Sequence, residues 1–138
     1  MRVEVAQVIN RPVADVFHWY ADEHVRNHPR WDPDIELEEV TEGPVRVGSV
    51  IRRRNVRYDT PVEGTMEVVE YEPEKAFGVM IKEGSFEMPG RVTFDSEAPD
   101  RTAITISTDV PDSIDKNLIT SRMQRSARNI KDLIESEL

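Results

Sequence analysis

Four arginines crowd one short stretch of this chain: Arg52, Arg53, Arg54 and Arg57. A guanidinium presents a planar fork of N–H donors that matches the paired oxygens of a carboxylate or phosphate. In an extended strand Val50, Arg52, Arg54, Val56 and Tyr58 share one face, and Ile51, Arg53, Asn55 and Arg57 share the other. The first set is the more apolar and is expected to face the interior. That aims Arg52 and Arg54 at a ligand carboxylate, phosphate or enolate oxygen. A buried guanidinium must have a partner, because an unpaired charge away from water is costly. A second reading stays open: Glu36, Glu38 and Glu39 precede the run, and Glu63, Glu67 and Glu70 follow it. These carboxylates would pair with the arginines across neighbouring strands. Tyr58, on the same face as Arg52 and Arg54, would either donate a hydrogen bond inside a pocket or find a backbone partner.

Other candidates are sparser. His24 and His28 lie four apart, a spacing that puts both imidazoles on one helical face. Pro29 shortens that helix and no third ligand stands at a diagnostic spacing, so exposed histidines without a metal are expected. His18 reads as a surface residue. Met66, Met88 and Met123 fall on expected inward faces, and thioethers adapt to irregular apolar shapes. Ser126 and Ala127 are small where a larger side chain would fill space. The ligand-binding set is therefore Arg52, Arg54, Tyr58, Met66, Met88, Met123, Ser126 and Ala127. With no cysteine there is no thiolate site or disulfide. No nucleophile–base pair, phosphate-cradling glycine loop or nucleotide fingerprint is present, so no catalytic residue is assigned and no cofactor or metal is expected.

These residues need a scaffold. Residues 112–138 contain neither proline nor glycine. Asp112 suits an N-cap, and Ile119, Met123, Ala127, Ile130 and Ile134 recur at helical spacing, which predicts one helix of about six or seven turns. Before it come strand-like runs: 2–9, 35–40, 49–58, 62–71, 77–82, 86–94 and 102–110, separated by turn residues. Two short helices fit between the first two strands, the first opening at Pro12 and the second halted by Pro29. The fold class is α+β: a seven-stranded antiparallel sheet curled around a long C-terminal helix. One helix cannot fill the concave side of so large a sheet, and the space left over is a pocket. A bulge near Pro61 or Pro89 would exchange inward and outward faces beyond it.

The 138 residues suit one domain, 1–138. Net charge is −9, and the whole excess lies in residues 1–111, with 13 basic against 22 acidic groups. Such a surface repels phosphate backbones, which speaks against nucleic acid, and no apolar run is long enough for membrane insertion. A cytoplasmic location is expected. The sequence leaves room for a homodimer.

The run Ile9-Asn10-Arg11-Pro12-Val13-Ala14-Asp15-Val16-Phe17, then Tyr20-Ala21-Asp22 and Pro29-Arg30-Trp31, resembles the opening of the START-like superfamily. This superfamily is also called SRPBCC, the helix-grip fold of the birch-pollen allergen type. The segments Gly43–Ser49 and Val69–Pro73 and the long last helix extend the likeness over essentially the whole chain. The bacterial polyketide cyclase/dehydrase-like branch is the most similar. The resemblance implies a cavity that takes a small apolar or polyketide-like ligand, or a cyclase/dehydratase-type enzyme using that cavity. A protein-interaction subunit with a filled cavity is the third option. The resemblance transfers no catalytic residue, because the fold hosts many activities.

Overall fold

The computed structural model describes residues 1–138. Strand β1 (Arg2–Ile9) is followed by helix α1 (Val13–Phe17), a π-helical turn (His18–Asp22) and α2 (His24–Trp31). Then come β2 (Ile35–Glu39), β3 (Val50–Asn55), β4 (Val62–Glu72), β5 (Ala76–Glu83), β6 (Phe86–Ala98), β7 (Arg101–Asp109) and α3 (Lys116–Glu137). The strands form one antiparallel sheet in the order β1-β7-β6-β5-β4-β3-β2. This is the helix-grip arrangement expected from the sequence.

The sheet alternates as its composition dictates. Val3, Val5 and Ile9 of β1, Met66 and Val68 of β4, Val92 and Phe94 of β6 and Ile104 of β7 are buried on the concave side. Ala127, Ile130 and Ile134 of α3 close over them. Each fully buried Ile contributes about 1.5–3 kcal/mol. The far end of α3 is also tied by polar contacts: Glu137 accepts from Trp19 Nε1 at 2.9 Å and pairs with Arg30, and Glu135 accepts from the Asn10 backbone N–H at 2.8 Å.

Several boundaries differ from the sequence reading. Helix α3 begins at Lys116, with the Asp115 carboxylate accepting from the Asn117 N–H at 2.9 Å, and Asp112 lies in the preceding loop. Pro12 is the N-cap of α1 rather than its first residue. Pro29 does not stop α2, which runs on to Trp31. Tertiary contacts hold that last turn: Asn129 donates to the Trp31 carbonyl at 3.1 Å, and buried Asn27 donates to the Trp19 carbonyl at 2.8 Å. The register shifts fall at Val69 and Glu97, not at Pro61 or Pro89. At Val69 the extra residue turns Val69 outward and sets Tyr71, not Glu70, against Phe17.

Candidate functional site

Below Ile130 the helix and sheet touch; above it they part. A cavity of about 340 Å³ opens between them. Ile119, Arg122, Met123, Ser126 and Ile130 of α3 form one wall. Ile81 and Glu83 of β5, the Phe86–Gly90 stretch of β6 and the Ile106–Thr108 stretch of β7 form the other. His28 and Trp31 of α2, together with Arg53, Asn55, Arg57 and Tyr58, close one end. The surface is predominantly apolar, and polar side chains stand both at that end and along the walls. Gly90 helps to keep the space open, since a Cβ there would sit 3.3 Å from Val79 Cγ2.

Arg53 is the only one of the three consecutive arginines that turns inward, and it is 6% exposed. The reason is the ladder. Ile51, Arg53 and Asn55 stand opposite Met66, Gly64 and Val62 of β4, and Gly64 stands opposite Glu83 of β5. Arg53, Gly64 and Glu83 thus occupy one row across three strands. With no side chain on Gly64, the outer two meet over it: Arg53 Nε donates to Glu83 Oε1 at 2.6 Å. A Cβ on Gly64 would lie 2.0 Å from the Lys82 carbonyl oxygen, so the position admits only glycine without backbone movement. Arg53 Nη1 contacts Met66 Sδ at 3.7 Å. Nη2 makes no hydrogen bond within the protein, and no buried side-chain polar atom is left unpaired, so Nη2 must reach accessible space. The buried pair therefore retains a free donor edge.

The expectation for Arg52 and Arg54 is overturned. Their side chains lie on the convex face, 59% and 46% exposed. Arg52 pairs with Glu38 at 3.3 Å, and Arg54 pairs with Glu36 at 3.2 Å and Glu63 at 3.3 Å. These are the cross-strand pairs of the alternative reading. The error has a physical source. Val56 and Tyr58 made that face look apolar, but β3 ends at Asn55, so neither belongs to its alternation. Tyr58 sits at the cavity rim, 54% exposed. Met88, Met123 and Ser126 line the cavity. Met66 and Ala127 do not: both are sealed in packed core beside it.

The histidines also differ from expectation. His24 is buried and His28 half-buried, not exposed. His24 Nδ1 lies 3.0 Å from the Tyr20 carbonyl oxygen, and its Nε2 lies 2.9 Å from His28 Nδ1. The two rings are spent on each other, not poised around an ion. His28 stacks on Trp31 at a centroid distance of 4.8 Å and 12°, and Trp31 stacks on Tyr20 at 4.9 Å and 13°. Burial drives the His24 pKa down to about 4, with the Arg53 charge adding to the effect. Burial, then His24 and Arg53, hold His28 well below the usual histidine range. Both shifts favour the neutral imidazole. Two more cations line the cavity, Arg57, which the strand alternation had set on the outward face, and Arg122. Arg57 is held by Asp32 at 3.2 Å and Asp34 at 3.3 Å, whereas Arg122 on the helical wall has no ion-pair partner. The i,i+4 histidine spacing was a visible signal for the imidazole pair. Nothing in the local sequence singles Arg53 out from its neighbours in the run or marks Glu83 or Arg122.

The family model described as "Polyketide cyclase / dehydrase and lipid transport" matches residues 1–135. The chain belongs to this family. It falls within the START-like superfamily, as its opening motifs suggested. Solved structures with the same fold include protein CV1439 from Chromobacterium violaceum, at 14% identity and a TM-score of 0.77, covering 97% of this chain and 96% of that one. Another is Ara h 8.0201, at 16% identity and a TM-score of 0.76, covering 99% of each. A third is norcoclaurine synthase from Thalictrum flavum, solved in complex with dopamine and hydroxybenzaldehyde, at 18% identity and a TM-score of 0.75, covering 100% of this chain and 88% of that one. No functionally curated protein matches the chain. No helix is long and apolar enough to cross a membrane.

Proposed function

We propose that this protein binds a small, mostly apolar molecule, lipid- or polyketide-like, bearing an acidic or enolic oxygen. The observation that carries the reading is the pairing of a predominantly apolar cavity with a buried guanidinium whose Nη2 edge is free. Apolar walls supply affinity by desolvation, and one charged donor orients the ligand. Met88 and Met123 make the walls adaptable, and Arg122 adds a second positive charge along the helix. The family description, which joins cyclase and dehydrase activity with lipid transport, supports this class of ligand. A second reading, turnover of a polyketide-like carbonyl chain in the same cavity, draws support from the neutral imidazole pair beside Arg53, since enolate chemistry needs a base near a positive charge.

Native mass spectrometry of the protein as purified, followed by titration with 8-anilinonaphthalene-1-sulfonate, tests the proposal. The expected result is one probe bound per chain, weakened about tenfold or more by Arg53→Met and abolished by Ser126→Trp, which places an indole in the cavity. Absence of any bound small molecule, together with probe binding that Ser126→Trp does not change, would overturn it.

A further inference from the structure

The two imidazoles form a chain whose direction is set by its first member. His24 Nδ1 faces the Tyr20 carbonyl oxygen at 3.0 Å. A carbonyl only accepts, so His24 Nδ1 carries a proton. His24 is neutral and holds a single N–H, which leaves its Nε2 bare. The group facing that bare nitrogen at 2.9 Å, His28 Nδ1, must then donate. His28 is neutral as well, so its own Nε2 is bare in turn. No group of the protein bonds to this Nε2, and no buried polar side-chain atom lacks a partner, so it opens onto accessible space from a residue that lines the cavity. The stack on Trp31 fixes the ring plane.

We propose that His28 Nε2 is the proton acceptor of the cavity and that the ligand presents a phenolic or enolic hydroxyl to it. This rests on the cavity being a ligand site and names the ligand's polar group. Arg53, whose charge bears on both imidazoles, lines the same cavity with its free donor edge and has Glu83 as its counter-ion. Donor and acceptor side by side suit an oxygen that gives up hydrogen-bond density on one side and gains stabilisation of partial negative charge on the other. Acidic hydroxyls on conjugated or aromatic carbon have that character, and the stacked rings and thioethers suit the carbon frame.

Two measurements test this. A two-bond proton–nitrogen correlation spectrum of the free protein reads the tautomers directly. Both His24 and His28 are expected as Nδ1–H forms with bare Nε2, and an Nε2–H signal for His28 overturns the proposal whatever the ligand. The second is a comparison of 2-naphthol with 2-methoxynaphthalene, which is more apolar and cannot donate. Wild type is expected to prefer 2-naphthol by about 3- to 10-fold, the worth of one hydrogen bond. His28→Phe, which keeps a ring against Trp31, should erase the preference, so that the two probes bind alike. Equal binding of the two probes by wild type, or a preference that survives His28→Phe, overturns the assignment of His28 while the cavity reading stands. Failure of both probes to enter the cavity overturns the cavity reading and this proposal with it.

Discussion

The two faces of β3 carry one side-chain type in two environments. On the convex face Arg52 and Arg54 reach carboxylates of both neighbouring strands through water-exposed pairs. On the concave face Arg53 meets Glu83 across the gap left by Gly64, out of contact with bulk water except along its free edge. Coulomb attraction is screened in the first case and barely screened in the second. The outer pairs therefore stand in water on the convex surface, while the inner pair is held in the interior with one guanidinium edge left open. A charge run in a strand thus divides into surface and site one residue at a time.

The two faces should differ most at Glu83. Glu83→Ala leaves Arg53 buried without its counter-ion and should cost about 3–5 kcal/mol in urea unfolding, against about 0–1 kcal/mol for Glu36→Ala outside. Equal losses at the two positions would show that the inner pair is no less hydrated than the outer ones.

Acid should find the same end of the molecule. His24 has an ordinary pKa near 6.5 when unfolded and about 4 when folded. Between those values the unfolded chain binds more protons, so stability falls as pH drops from 6.5 towards 4, by up to about 3 kcal/mol from this group. Arg53 is the cation that faces it, and Glu83 is the carboxylate that partly offsets that charge. His24→Asn should reduce the dependence of the urea midpoint on pH over that window, and His28, whose pKa burial also lowers, supplies what remains.

A smaller effect separates the two ends of α3. Ile134→Ala opens a void in packed core and should cost about 2–5 kcal/mol, whereas Met123→Ala, already beside open space, should cost under about 2 kcal/mol and loosen ligand binding instead. The smallest effect is on the convex face. Arg54→Ala should change stability by no more than about 1 kcal/mol and leave binding of the sulfonate probe unaltered, whereas Arg53→Met should weaken that binding.

Much of the architecture is legible in the residues. The alternation of Val3, Val5 and Ile9, of Met66 and Val68, and of Val92, Phe94 and Ile104 names the concave face because a strand buried on one side must alternate. The stripe Ala127, Ile130, Ile134 names the helix face that grips it, and the surplus of sheet over helix names the cavity. Met88, Met123 and Ser126 stand on its wall as their spacing suggested. Those inferences are local, and local rules suffice where apolar periodicity is clean.

The polar end of the cavity needed the tertiary structure. Which face of β3 turns inward depends on its register against β4, and the strand's own alternation was misread because Val56 and Tyr58 lie beyond its end. Arg53 and Glu83 are 30 positions apart, and their meeting depends on an absent side chain at Gly64, which no pattern in either strand records. The histidine spacing was visible, but the burial that keeps both rings neutral comes from Trp31, Phe77 and Tyr20 packing around α2. Sequence by itself determined the sheet, the grip and the space between them, because burial of apolar surface has a period. The meeting of Arg53 with Glu83 and the burial of the two imidazoles are non-local, and they follow from the assembled fold.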